Sequence, residues 1–405
     1  MANYRYKVNL TYVHKIGKNK YNTYEISSNN NIEGCIIHSD YVNNNMPLII
    51  LDLVIQSKLA NIMLETTSMQ NDYIVLNITK FDINDDLGIE LPYIEGSFNY
   101  YSFDQLNKSA VAEFDTDINP NNPNLIMRSL KIGLIKSDLI RSNSITTNGI
   151  ISNTTMQDLV QYCLNRAGVK TVIEQFDYNT KLDQIIIPPS ESLSKVIKHL
   201  NSISVFYKTQ YRFFMDFDVT YIISSSGNPV ARKGDSINSI MFDIGDITDK
   251  SVDLEGIQII KKRGFYYVPV TFKDCQLADN YITSQQYSSI TAIGRGYADQ
   301  VDLDIIRGDN STDITKTIRI TNNNTHMLEN IASSIANSNT VVNIYKVGVD
   351  NSIFTPNKEF SIKYNNTYDE NHNGLYLLNS KQEVFSKDGN RFVSSVMLSL
   401  NKIGP

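Results

Sequence analysis

No tryptophan occurs in the 405 residues, and histidine (5), cysteine (3) and proline (10) are sparse. Cys35, Cys163 and Cys275 are too few and too far apart for a disulfide framework or a cysteine-rich zinc site. His14, His38, His199, His326 and His372 never fall at a metal spacing such as HExxH. Basic charge is not in excess: 37 Lys and Arg face 43 Asp and Glu, for a net charge of −6. That balance argues against a protein that grips phosphate backbones, but suits one past which DNA moves without being held. Long apolar runs are missing too. The longest, Pro47–Ile55, is interrupted by Asp52 and is far shorter than the ~20 residues a spanning helix needs. The opening MANYRYKVNL has no apolar h-region, so no signal peptide, no membrane insertion and synthesis in a cytoplasm are expected.

Aromatic residues are plentiful, with 24 Tyr and 16 Phe, and only 20% of residues are charged. This is the composition of a folded chain, long enough for two or three domains. Residues 4–13 alternate, with Tyr4, Tyr6, Val8, Leu10 and Tyr12 on one face and Arg5, Lys7, Asn9 and Thr11 on the other. Such alternation predicts a strand with one wet face. Further strands are predicted at 48–55, 73–81, 89–94, 130–134, 257–261, 266–272, 341–349, 359–364, 374–378, 382–387 and 392–400. A helical turn or two is expected over 56–63. Asp388-Gly389 marks a hairpin turn between the last two strands. Many short strands between Asn, Asp and Gly clusters favour barrels or sandwiches over a parallel sheet.

The chain is organised around residues 154–225. Thr154 with Gln157 reads as a capping box, followed by Met156, Leu159, Val160, Cys163 and Leu164 at helical spacing and by Gly168 as a stop. This places Cys163 on an apolar helix face as a buried thiol. A second helix follows Pro188-Pro189, with Ser190 as its N-cap and Leu193, Val196, Ile197, Leu200 and Ile203 on its apolar face. From Tyr211 to Ile223 every odd position is apolar, which predicts one long strand. A third helix is predicted over 325–336. Linkers are expected over 115–127 and, after Ser224–Gly227, up to about Gly245.

The order of helix, "IIIPPSESLSKVIKHLN" from Ile185 and "VFYKTQYRFFMDFDVTYII" from Val205 resembles the hub proteins of phage tails. The ending "NGLYLLNSKQEVFSKDGNRFVSSVMLSLNKI" resembles the second barrel domain of the same family. These hubs sit at the tail-tube end of contractile and related injection machines, and the type VI secretion spike is a cousin. The resemblance implies a mainly β fold with α insertions (α+β): two β-barrel tube-like domains joined by a helix-containing domain. The expected division is 1–115, 116–235 with the long strand 211–223, and 236–405. The implied function is a homotrimeric, pseudo-sixfold ring in the virion tail or baseplate. It would adapt a hexameric tail tube to a threefold spike or tip, with a tape-measure protein as a further partner and DNA passing without specific binding. No active site, cofactor or metal is implied. The rival readings are a tail-associated cell-wall hydrolase and a host-surface binding or plug protein.

Each motif with chemical potential has a plainer reading. Asp82-x-Asn84-x-Asp86 begins like a calcium loop, but Gly88 comes one place late and Tyr93 stands where the twelfth-position glutamate belongs. Asp216 and Asp218 would share one strand face, as paired carboxylates for acid–base work or as solvent-facing partners of Arg212. The DENHNG string at 369–374 reads as a loop, with a metal site as its alternative, and the acidic cluster Asp302, Asp304, Arg307, Gly308 and Asp309 reads as a turn. Gly294-Arg295-Gly296 lacks the spacing of a phosphate loop, and no GxSxG occurs. The sequons at Asn107 and Asn310 have no use without secretion.

Overall fold

The computed structural model describes residues 4–27, 31–42, 46–65, 72–84, 88–101, 127–144, 147–187, 191–207, 211–224, 239–244, 340–347, 349–356, 358–364 and 373–404, with strand segments between 256 and 321. The predicted helix over 325–336, Cys275, Asp86, Asp309, His326, His372, both sequons and most of the DENHNG string lie outside the described residues.

The first part of the chain is β1 (Tyr4–Gly17), β2 (Lys20–Ser27), β3 (Ile32–Asp40), β4 (Leu48–Gln56), α1 (Ser57–Glu65), β5 (Tyr73–Asp82), β6 (Leu91–Tyr101) and β7 (Met127–Lys136). The middle holds α2 (Ser137–Ser144), β8 (Gly149–Thr155), α3 (Met156–Ala167), β9 (Thr171–Ile173), β10 (Lys181–Ile187), α4 (Leu193–Ile203), β11 (Tyr211–Met215) and β12 (Thr220–Ser224). Then come β13 (Ser239–Ile244), β14 (Gly256–Lys261), β15 (Phe265–Tyr266), β16 (Val268–Thr271), β17 (Leu277–Tyr281), β18 (Thr291–Tyr297), β19 (Gln300–Gly308) and β20 (Ile314–Thr321). The chain ends with β21 (Thr340–Val347), β22 (Glu359–Tyr364), β23 (Gly374–Asp388) and β24 (Arg391–Gly404).

Eight antiparallel strands close into a barrel in the order β1, β5, β6, β7, β4, β3, β23, β24 and back to β1. The predicted alternation explains the closure. Tyr6, Val8, Leu10 and Tyr12 of β1 point inward with Ile74, Leu76 and Ile78 of β5, Leu51 and Leu53 of β4, and Ile132 and Leu134 of β7. A ring of this size has an interior just wide enough for side chains to fill, so it is a packed core and not a pore. β23 and β24 enter from the far end of the sequence. Phe385 and Phe392 add their rings to the same core. The ring is therefore not confined to the first of the three expected segments. β7 comes from the second and the closing hairpin from the third.

The closing hairpin is longer than the barrel needs. β23 pairs with β22 through residues 375–376 and its Gly374, shifts register at Leu378/Ser380, and then pairs with β3. β24 meets β1 at Phe392 and pairs with β21 from Ser395 onward. β14 joins β21 and β13 joins β22, so a six-strand path β14-β21-β24-β23-β22-β13 grows out of the barrel wall. Among the described residues this path is open at both ends. The strands β15 and β18–β20 form a small sheet, and β16–β17 a ribbon.

The middle unit packs α3 and α4 against the β11–β12 hairpin and the β8–β10 ribbon. Leu159, Cys163, Val196, Ile197, Leu200, Phe213 and Ile222 share one core. Two expectations need correction here. The helix cap is Thr155, one residue later than predicted, and its hydroxyl accepts from the Asp158 N–H at 3.2 Å. The second helix is capped at Ser192 and not at Ser190. Gly168 ends α3 with φ 71°, a left-handed conformation that favours glycine.

The long strand expected over 211–223 is two short ones. Asp216–Val219 forms a turn, with the Asp216 N–H donating to the Val219 carbonyl at 2.8 Å and the Asp216 carboxylate accepting from the Phe217 N–H. β11 and β12 fold back on each other with Met215 opposite Thr220. Both faces of this hairpin are covered, so Arg212 is buried as well as Phe213. Period-two alternation cannot separate one long half-buried strand from two short buried ones when aspartates supply the turn.

Candidate functional site

Polar chemistry concentrates where the middle unit and the second sheet meet one end of the barrel. Here the 216–219 turn docks. Phe217 packs against the barrel core, with its ring 6.5 Å from that of Phe98. Asp218 pairs with Lys136 at the end of β7. Gly96 makes room for that lysine: its φ is 146°, and a Cβ there would lie 3.0 Å from the Lys136 Cε.

Arg212 is the second contact. The residue is only 4% exposed, and its guanidinium donates to the backbone carbonyls of Tyr41, through Nε at 3.0 Å, and of Leu378. It lies over the Phe214 ring, 5.6 Å from its centre. Burial pushes its pKa down to about 10. The expected pairing of Arg212 with Asp216 or Asp218 is replaced by these carbonyl contacts. One side chain thus ties β11 to the end of β3 and to β23.

The third contact comes from the segment between β21 and β22. Lys80 of β5 donates to both Asp350 oxygens, at 2.7 and 2.6 Å, and to the Ser352 hydroxyl at 2.6 Å. Tyr6 donates to the Val349 carbonyl and accepts from the Asn351 N–H, both at 3.2 Å. Burial would raise the Asp350 pKa, but Lys80 and Ser352 outweigh it and hold the carboxyl below its ordinary value. Nearby, Glu383 is 1% exposed, accepts from the Tyr93 hydroxyl, and lies 3.3 Å from Lys381 Nζ. Burial, reinforced by the Glu383 charge, keeps the Tyr93 phenol far above its usual range.

At the other end of β1, Asp72 collects three donors. Its Oδ2 accepts from the Tyr12 hydroxyl at 2.6 Å and lies 2.9 Å from His14 Nδ1, while Oδ1 accepts from the Lys15 N–H at 2.9 Å. Burial pushes this carboxyl up, but the three partners together leave it lowered. An Asp–His pair orients an imidazole in catalytic triads. Here the Tyr12 hydroxyl donates to the same aspartate, so the arrangement braces β1.

The remaining sequence motifs separate in space. Asp82 accepts from the Asn84 N–H at 2.9 Å, as in an ordinary Asx turn. His38 is half-buried on β3, and burial lowers its pKa. His199 sits on α4, where its carbonyl accepts from Ser202. Gly294-Arg295-Gly296 lies within β18, and Arg295 stands opposite Asp302 of β19. Asp302 also stands opposite Arg319 of β20. Among the described residues no three His, Cys, Asp or Glu side chains group to hold a metal, and no helix is long and apolar enough to cross a membrane. Sequence reasoning missed Asp72, Lys80, Asp350 and Glu383, which stand in no local motif.

Several large apolar side chains of the described residues remain exposed. Ile150 and Ile186, each 64% exposed, face one another across the β8–β10 ribbon. Ile83, Ile89 and Leu91 line the β5–β6 connection.

Residues 19–257 match the family of the Bacteriophage PBS1 gene 109 protein. The chain belongs to that family. Among curated proteins no sequence matches. Three solved structures are similar to this gene 109 family chain along almost all of its length. The tail protein from Neisseria meningitidis MC58 is 12% identical, with a TM-score of 0.47 over 99% of this chain and 97% of that one. The 43 kDa tail protein of prophage MuSo2 from Shewanella oneidensis is 9% identical, with a TM-score of 0.48 over 100% and 97%. A chain of the lidded Francisella PdpA–VgrG complex is 11% identical, with a TM-score of 0.52 over 98% of this chain and 53% of that one. The gene 109 family chain spans about half the length of the VgrG-complex chain and shares its fold. The resemblance to tail hubs and their secretion-spike cousins holds at this level.

Proposed function

We propose that this chain is a structural hub of a phage tail. Three copies form a pseudo-sixfold ring in the virion tail or baseplate. The ring joins a sixfold tail tube to a threefold spike or tip and contacts the tape-measure protein. The observation that carries the reading is the doubling of β-structure in one chain. A closed eight-strand barrel and a six-strand sheet are fused through one hairpin, with a helical unit beside them. In this reading the second sheet closes into a second barrel, giving each chain two of the six units that a tube ring meets. Rings of this kind use heterologous contacts that close on themselves.

The barrel interior is filled by side chains such as Tyr6, Leu51, Leu76 and Phe385, so a DNA path runs between copies and not through one. The net charge of −6 suits walls that do not hold DNA. The role is one of shape and not of turnover. Asp216 and Asp218, the acid pair of a hydrolase reading, are turn residues with structural partners.

The test is the mass of the assembly. Native mass spectrometry of the purified chain, alone and with its tube protein, is expected to give three copies of the 45.9 kDa chain. A monomer under both conditions, or release of peptidoglycan fragments by the pure chain, overturns the proposal.

A further inference from the structure

The hairpin β23–β24 belongs to two hydrophobic cores at once. Its tip carries Phe385 and Phe392 into the barrel core. There the Phe385 ring packs edge-on against Tyr6 at 4.9 Å. The tip is also held from outside. Arg391 lies over the Phe81 ring at 4.0 Å, Arg5 reaches Asp388 at 3.1 Å, and Lys387 reaches Glu33 at 2.6 Å. Its base carries Tyr376, Leu378, Val396, Leu398 and Leu400 into a separate core with Phe360, Ile362 and Ile344. That second core also takes Phe214, Tyr221 and Ile223 from the middle unit. A strand of 15 residues spans about 46 Å at ~3.3 Å per residue, so each strand is a rod running from one core to the other.

Where the rods cross from one sheet to the other, the two halves are also clasped directly. Lys80 holds Asp350 and Ser352, and Tyr6 holds Val349 and Asn351. The strands cannot leave one core without disturbing the other, because their ladder bonds run on from β3 to β22 and from β1 to β21.

We infer that the shared hairpin is a coupling device: the barrel and the second sheet open and stiffen as one unit, so that a disturbance at the second sheet is felt in the barrel strands as well. Independent domains on a string, by contrast, open separately. The coupling does not depend on the number of copies in the assembly.

Hydrogen–deuterium exchange of the full-length chain tests this. Leu398→Ala removes a side chain from the second core only. It is expected to speed exchange of the β1 and β5 amides about tenfold or more, in step with the β21 amides. Leu164→Ala, in the core of the middle unit, is the control and is expected to speed α3 with a far smaller effect on β5. Faster exchange in β21 with β1 and β5 unchanged overturns the inference. If Leu398→Ala does not fold, the wild-type chain supplies the answer. In rising sub-denaturing urea, β5 and β21 amides are expected to merge onto one opening transition. A barrel that stays closed while β21 opens refutes the coupling.

Discussion

Replacing Asp72 by asparagine tests whether the carboxylate at the end of β1 braces the barrel through charge. Asp72 is 6% exposed, and its two oxygens are used differently. Oδ2 serves the Tyr12 hydroxyl and His14, and Oδ1 serves the Lys15 N–H. Asparagine has one accepting oxygen, so it keeps one side of this arrangement and turns an N–H₂ group toward a donor on the other. Hydrogen bonds to a charged group contribute about 1.5–3 kcal/mol each, so the net loss at pH 7 is about 2–3 kcal/mol. For a chain of this size that lowers Tm by about 3 °C. The pH dependence has a definite sign. The folded-state pKa of Asp72 is lowered, so its stabilisation is complete above the unfolded value of about 3.9 and is lost as pH falls through the folded value. Asp350 is lowered too and adds a slope of the same sign, so the quantity to follow is the gap between wild type and Asp72→Asn. Thermal unfolding followed by circular dichroism should show that gap at pH 7 and its narrowing below pH 4. A gap of the same size at pH 7 and pH 3 would refute the charge argument.

Arg212→Met and Arg212→Ala both leave the Tyr41 and Leu378 carbonyls without this donor, and only alanine also opens a cavity, so alanine should cost about 2–5 kcal/mol more; equal losses in the two variants would contradict this. Gly96→Ala combines a φ of 146° with a Cβ 3.0 Å from Lys136 and should cost about 1–3 kcal/mol, read as a fall in Tm. The double change Ile150→Ser and Ile186→Ser removes an exposed apolar pair, so Tm should move by the equivalent of no more than about 0.5 kcal/mol per site. If the ribbon lies in the seam between copies, the same variant shifts native mass spectra from trimer toward monomer.

Local features were legible because local physics determines them. Alternation of Tyr6, Val8, Leu10 and Tyr12 gave β1 and its inward face, and the i, i+3, i+4 pattern from Met156 gave α3 with Cys163 buried. Asp388-Gly389 gave the closing turn, where Asp388 stands opposite Arg391 across a two-residue loop. The exposed Ile150 and Ile186 read as apolar on any hydropathy scale, yet nothing in the segment says which face of the ribbon is left bare. The 211–223 stretch failed for a related reason. Alternation reports burial contrast between two faces, and a hairpin covered on both sides removes the contrast that would mark its turn.

What stayed illegible was the partner of each strand. Tyr6 stands opposite Phe392, and Gly34 opposite Ser386, far apart along the chain. No periodicity within a strand encodes such a partner, because ladder hydrogen bonds are made by backbone common to every residue. The same separation explains why Lys80, Asp350 and Glu383 fell in no motif. Each is an ordinary charged residue until closure brings Ser352 to Lys80 and Tyr93 to Glu383. It also bears on folding. The start of β1, ahead of its pairing with β2, and the outer edge of β3 stay open on the barrel until residues 374–404 arrive, so closure is a late, high-contact-order step. Until those residues are in place the two edges stay exposed, and exposed edges are where strands of other chains add.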